Sequence, residues 1–359
     1  MSNVLAASSL ELDHINNLLG KDIPSYRKAY SDRTAWLMAC VSELVYIRFN
    51  PLFSKSQSKD YFLDHVNKLL NKANNDISDN KLKILNKLID TVAYDHEAEE
   101  QKLKGELNLI QMELVEKFDE DGTQAIIVSF NEFLVLAFRG TEATSKKDIK
   151  SDVNAITKVC ESGGKIHSGF DEAYSNVAID IQKTLEQDKY SNKPVFITGH
   201  SLGGALATVA AKKLNHKGGI SACYTFGSPR VGNEDWIENI KAPVYRVVNA
   251  ADGVTMMPPS SEAITGFSFI IKYVPYVGPT IRKILLSKFA GYMHGGNMRY
   301  LTGCLPGKYE DVKLLYSVSF FRRVMGIKKN DLPWKNFLAD HSISLYRKKL
   351  MHVASNRNK

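Results

Sequence analysis

Residues 194–214 read PVFITGHSLGGALATVAAKKL: an apolar run, a cluster of glycines around one serine, then a stretch of strong helix formers. PVFIT has the length and composition of a buried strand, and ALATVAAKKL is a helix. Between them lies Gly199-His200-Ser201-Leu202-Gly203-Gly204. A G-x-S-x-G pentapeptide arises by chance in roughly one chain of this length in ten at average Gly and Ser usage, so the letters alone decide little. The strand-turn-helix context decides more. A sharp turn there holds the Ser201 oxygen clear of the sheet and leaves backbone N–H groups at the helix start pointing toward a reacting carbonyl. Gly199, Gly203 and Gly204 supply the small neighbours that a tight turn needs.

Outward from this turn the chain alternates between strand and helix. Upstream, ELVEKF, Asp121-Gly122, TQAIIVSF, Asn131-Glu132 and FLVLAFRG read as three strands joined by tight turns. GFDEAYSNVAIDIQKTLEQ then spaces Phe170, Tyr174, Val177, Ile181 and Leu185 along one helical face. Downstream, ISACYTFGS and APVYRVVNA are further strands. Strands separated by helices imply crossover units, hence an α/β fold with a mostly parallel central sheet.

Toward the N-terminus, SDRTAWLMACVSELVYIRF puts Leu37, Val41, Leu44 and Val45 on one face of a long buried helix that Ser31 or Asp32 can cap. Residues of about 55–110 are rich in Lys, Asn, Asp and Glu, with Leu63, Leu69, Leu70, Leu82, Leu85 and Leu88 at helical spacing, and read as two or three amphipathic helices. The expected organisation is a helical region at 1–110 packed on a catalytic domain at 111–359, the latter carrying an apolar insertion at about 260–290.

Composition narrows the class. The chain has 359 residues, 44% hydrophobic and 24% charged, which excludes wholly disordered and collagen-like readings. Cys40, Cys160, Cys223 and Cys304 are far apart with no CxxC pair, so free thiols are expected and neither a metal site nor a cofactor is. The N-terminus lacks a basic region followed by an apolar core, and no run of 18 apolar residues occurs. A cytoplasmic address is therefore expected, with signal-independent export left open. From Lys241 onward the chain holds 19 Lys and Arg against 6 Asp and Glu, leaving 28 against 33 before it. That basic third comes with no nucleic-acid-binding motif, so no nucleic acid is expected; it reads either as a surface for an anionic membrane or as an ordinary solvated surface and tail.

A serine needs an imidazole base that is itself oriented by a carboxylate. Asp252 follows the strand APVYRVVNA, where a loop at a strand's C-terminal end faces the same rim as Ser201. Its other reading is an Asx-turn residue in Asp-Gly. Downstream lie His294 in GYMHGGNMRY, His341 in LADHSISLY and His352 near the end.

Taken together, FRGT at 138–141, HSGF at 167–170, TGHSLGGALA at 198–207, TFGSPRVGN at 225–233, YRVVNAADGV at 245–254, GYMH at 291–294 and DHSISLY at 340–346 resemble the class 3 lipases, over about 125–350. The resemblance implies an α/β-hydrolase fold, here with an N-terminal helical extension. It implies Ser201 as nucleophile, Asp252 as the orienting acid and His341 as the base, with His294 the runner-up. It assigns the oxyanion hole to the backbone N–H groups of Leu202 and Thr141. His167 is expected to shape the pocket wall or bond backbone, and Arg139 to pin the sheet edge. The substrate class it implies is a lipid carboxylic ester, acylglycerols first.

Two segments depart from the family. EATSKKDIKSDVNAITKV, at 142–159, stands where related lipases carry a lid helix but lacks an apolar, Trp-bearing face. SSEAITGFSFIIKYVPYVGPTIRKILLSKFAGY, at 260–292, is apolar, broken by Pro275 and Pro279 and flanked by Lys272, Arg282, Lys283 and Lys288. It suits lipid-surface contact or a cap over an acyl chain, over 264–290, or else ordinary burial. The alternative functions are a phospholipase or lysophospholipase at a membrane surface, including an exported effector, and a non-catalytic lipid-binding protein. Oligomeric state is not legible.

Overall fold

A computed structural model of the protein describes residues 3–26, 28–47, 96–140, 157–160, 163–259, 291–305, 307–319 and 339–357. They begin with α1 (Ser9–Leu19), α2 (Asp32–Leu44) and α3 (His96–Leu109). Ser31 caps α2 by accepting the Thr34 N–H, which satisfies one of the N–H groups that a helix start leaves open. Burial on α2 is wider than the expected face, because Trp36, Met38 and Ala39 are buried as well as Leu37, Val41 and Leu44.

The three predicted strands are β1 (Glu113–Glu120), β2 (Thr123–Phe130) and β3 (Phe133–Phe138), paired antiparallel in succession. Asp121 and Gly122 both take positive φ, 47° and 79°, the turn geometry whose twist matches that of a hairpin. β4 (Thr157–Val159) and β5 (Lys165–His167) pair as a separate two-stranded sheet. The chain continues through α4 (Ser168–Leu185), α5 (Asp188–Ser191), β6 (Val195–His200), α6 (Leu202–Lys213), β7 (Ile220–Phe226), α7 (Glu234–Glu238) and β8 (Val244–Asn249). β9 (Asn297–Leu301), β10 (Leu314–Leu315) and α8 (Ile343–Arg357) complete the described elements.

The main sheet has eight strands in the order β1-β2-β3-β6-β7-β8-β9-β10. Its centre, β3 to β9, is parallel, and the pairs at each end are antiparallel. Alternation along β6 explains the layers. Val195 and Ile197 join the apolar cluster built with α4 and α6, whereas Thr198 points the other way, donating to the Tyr224 carbonyl and meeting Ser42 of α2 at 2.9 Å. With helices on both faces, β3 and β6 are buried along their whole length, the continuous apolar pattern of central parallel strands. Each large apolar side chain so buried contributes about 1.5–3 kcal/mol relative to exposure.

β4, β5, β9 and β10 were not legible in the sequence. They are two to five residues long, too short for a period-2 signal, and β9 finds β8 only after a long excursion. By contact the chain divides into two compact units, Met1–Tyr46 with Glu106–Lys359, and Ile47–Gly105. Of the helices expected over 55–110, α3 is described, and the positions before His96 lie outside the described residues. So do 142–156 of the segment in the lid position and the apolar stretch 260–290. No helix among the described residues is long and apolar enough to cross a membrane.

Candidate active site

Ser201 stands between the end of β6 and the start of α6 with φ 59° and ψ −126°. An L-residue adopts that conformation only under constraint. The constraint is close packing: a Cβ on Gly203 would strike the carbonyl of Phe138 in β3, so the glycine lets the first turn of α6 lie against the sheet. The Ser201 N–H donates to the Phe226 carbonyl of β7 at 2.9 Å.

The structure brings Ser201, Asp252 and His341 together. His341 Nε2 is 2.8 Å from Ser201 Oγ, and its Nδ1 is 3.0 and 2.9 Å from the two carboxylate oxygens of Asp252. All three are buried. An ionised carboxylate has no proton to give and only accepts, so the network puts the proton on Nδ1 and leaves the Nε2 lone pair facing the serine hydroxyl.

Asp252 needs compensation, because a carboxylate removed from water is costly unless hydrogen-bonded. The Val254 N–H donates to its Oδ1 at 3.0 Å and the Tyr346 hydroxyl to its Oδ2 at 2.5 Å. Tyr346 in turn accepts the Asn249 N–H at 3.0 Å. The same loop and tail are tied again where Asp340 Oδ2 accepts the Ala251 N–H at 3.0 Å and Asn249 Nδ2 donates to the Asp340 carbonyl at 2.8 Å. Lys349, buried on α8, donates to Asn249 Oδ1 at 2.6 Å and to the Thr302 carbonyl at 2.9 Å. Burial pushes the Asp340 carboxyl above its ordinary pKa and the Lys349 ammonium below its own. Tyr346, Asp340 and Lys349 were not singled out from sequence, although the first two lie inside the DHSISLY motif.

Leu202 begins α6, and the first N–H groups of a helix have no partner within it, so its amide is available beside Ser201. Thr141 lies outside the described residues. His294 donates from Nε2 to the Thr255 carbonyl at 2.6 Å, while His341 is the histidine bonded to Ser201. His352 lies on α8, its ring 5.7 Å from that of His14. His167 immediately precedes α4 and stacks on Phe170 with ring centroids 4.0 Å apart. Arg139 donates to Gln124 Oε1 at 2.7 Å, joining the ends of β3 and β2. The four cysteines are free, and among the described residues no three His, Cys, Asp or Glu side chains gather as a metal-binding group.

Comparison with known proteins gives a consistent picture. The family model for the class 3 lipases matches residues 135–262. A secreted mono- and diacylglycerol lipase of Fusarium solani is 29% identical over 219 residues, 58% of this chain and 62% of the relative. A secreted mono- and diacylglycerol lipase of Malassezia restricta is 38% identical over 108 residues, 28% of this chain and 34% of the relative. The chain thus matches less than two thirds of the length of each. A crystal structure of a mutant MDLA of Penicillium cyclopium aligns with a TM-score of 0.51 and 18% identity, covering 97% of this chain and 100% of that one. That likeness concerns the fold, which is the α/β-hydrolase fold. The comparisons also correct the expected cytoplasmic address, since the Fusarium and Malassezia relatives are named secreted.

Proposed function

We propose that this chain, whose residues 135–262 match the family model for the class 3 lipases, is a carboxylic ester hydrolase that cleaves acylglycerols through an acyl-enzyme on Ser201. The observation that carries the reading is the 2.8 Å contact between Ser201 Oγ and a His341 ring whose other nitrogen is held by buried Asp252. His341 Nε2 takes the hydroxyl proton as Ser201 Oγ bonds to the ester carbonyl carbon, and the carbonyl electron pair moves onto oxygen. The Leu202 N–H, with Thr141 retained from the family resemblance, holds that oxyanion; one such donor is worth about 100- to 1000-fold in turnover. When the C–O bond to the alcohol breaks, His341 returns the proton to the leaving oxygen. Water then repeats the sequence, with His341 as base, and frees the acid and Ser201. Asp252 stays ionised throughout and stabilises the imidazolium.

The names of the relatives support mono- and diacylglycerols as substrates and an extracellular setting. The basic C-terminal third, rich in Lys and Arg, suits contact with an anionic lipid surface. Labelling by a fluorophosphonate probe, lost in Ser201→Ala, together with fatty-acid release from dioleoylglycerol, tests the reading. Labelling without release from any acylglycerol, but with release from phosphatidylcholine, would replace it by a phospholipase. No labelling and no ester turnover would sink the enzyme reading altogether.

A further inference from the structure

We propose that His200 and Tyr46 are positioning residues that clamp the backbone of His341 and so hold the base in reach of Ser201; the inference rests on the serine-hydrolase reading above. His200 is the last residue of β6 and the immediate neighbour of Ser201, yet its side chain is buried rather than turned to solvent. Its Nε2 lies 2.6 Å from the main-chain carbonyl oxygen of His341. A carbonyl only accepts, so Nε2 carries the hydrogen, and in a neutral ring Nδ1 is then the acceptor. The Tyr46 hydroxyl, 2.9 Å from Nδ1, donates to it. The chain of donors therefore runs from Tyr46, just past α2, through His200 at the end of β6, to the peptide of His341.

Each link has a reason to be where it is. His341 sits in a single turn of 3-10 helix, Ala339–His341, which has few hydrogen bonds of its own to fix it. Asp340 anchors that turn to Ala251 and Asn249 on one side, and His200 anchors the His341 carbonyl on the other. The ring centroids of His200 and His341 are 4.5 Å apart, so a cation on His200 would oppose the imidazolium that His341 forms in the reaction. Burial, with the neighbouring His341 adding to it, pushes His200 well below its ordinary pKa and keeps it neutral. The groups facing it are Tyr46, His341 and Tyr346, the last at 6.1 Å between centroids. Arg139 stands 5.7 Å from the centre of the Tyr46 ring and steadies it. A Cβ on Gly140 would collide with the Tyr46 hydroxyl and the His200 carbonyl, which shows how closely the backbone just past the end of β3 lies against this pair.

The test compares His200→Phe, His200→Gln and Tyr46→Phe on a soluble short-chain p-nitrophenyl ester, with thermal midpoints measured alongside. A loss of positioning by a fraction of an ångström predicts kcat lowered about 30- to 100-fold in His200→Phe with KM within about two-fold. Gln, which keeps a side-chain N–H for the His341 carbonyl, should restore kcat to within about five-fold of wild type; Tyr46→Phe should lower it about three- to ten-fold. A folded His200→Phe with kcat within three-fold of wild type overturns the proposal, as does a His200→Gln no better than Phe. Should His200→Phe fail to fold, Tyr46→Phe decides, and an unchanged kcat there overturns it. Wild type and Ser201→Ala run in the same assay keep the two readings apart. Wild-type turnover that does not depend on Ser201 sinks the hydrolase reading, whereas Ser201-dependent turnover indifferent to His200 and Tyr46 sinks only the clamp.

Discussion

A methyl group added at Gly227 should impair the site without unfolding the protein. Gly227 follows β7 with φ 60°, and a Cβ there would lie 2.8 Å from Asp252 Oδ2 and 2.9 Å from His341 Nδ1 and Cε1. Ordinary contact at such a position begins near 3.4 Å, so the carboxylate and the imidazole must each withdraw by roughly half an ångström. The Asp252 carboxylate is already held by Tyr346 and the Val254 N–H, so the His341 ring gives way, and its 2.8 Å contact with Ser201 is the one lost. A displacement of about 1 Å at reacting groups costs about 100-fold in rate, and half that distance on the same logarithmic scale about ten-fold. Gly227→Ala should therefore lower kcat by about ten-fold on a soluble ester. Left-handed backbone costs an L-residue roughly 1–2 kcal/mol and overpacking typically another 1–3, so the thermal midpoint should fall by several degrees. Gly122→Ala separates the two effects. It has φ 79° with nothing within 4 Å of its Cβ, so it should show the backbone cost alone, with kcat unchanged. The reasoning is refuted if Gly227→Ala keeps kcat within three-fold of wild type, or if both variants lose activity alike.

Ser201→Ala should lower turnover by on the order of a millionfold while moving the thermal midpoint little. His341→Ala should match it and His294→Ala should cost far less; kinetics showing the reverse order would transfer the base to His294. Tyr346→Phe removes a donor from Asp252 and leaves the Asn249 N–H without its acceptor. Loss of about 1–3 kcal/mol in urea melts and of roughly ten-fold in kcat is expected, and unchanged stability would mean that the hydroxyl is dispensable. His200 is held below its ordinary value of 6.5 by burial. Unfolded chains thus bind one more proton than folded ones between the folded value and 6.5, so stability should decline as pH falls through that window, by up to about 1.4 kcal/mol per pH unit. His200→Gln should flatten the decline between pH 7 and pH 5, and a melt series with the wild-type slope would contradict it.

Local signals carried much of the architecture. The Asp121-Gly122 and Asn131-Glu132 turns, the face of α4 from Phe170 to Leu185 and the Ser31 cap of α2 are readable because each depends on neighbours within a few residues. Ser201 was legible for the same reason, since strand, elbow and helix are contiguous. Asp252 was legible as a candidate from its place just after the strand APVYRVVNA, but His341 was chosen over His294 through the family resemblance, because 89 residues separate it from Asp252 and no local pattern states which histidine returns to the serine. The expected cytoplasmic address failed for a different reason: a leader peptide is judged from a few N-terminal residues, whereas the secreted names belong to relatives recognised by similarity over 58% and 28% of the chain.

By itself, then, the sequence determined the α/β pattern and the strand-turn-helix elbow that carries Ser201, because backbone propensity, turn chemistry and hydrophobic period are properties of short segments. Only the tertiary structure decided that His341 and not His294 meets Ser201, that Tyr346 and Asp340 fasten the tail to the Asp252 loop, and that His200 and Tyr46 line up behind the His341 carbonyl. Those contacts join residues 89 to 154 positions apart. Their energy comes from burying polar groups where water cannot reach and only a correctly placed partner can satisfy them, a condition that exists only once the sheet and both helical layers have closed around the site.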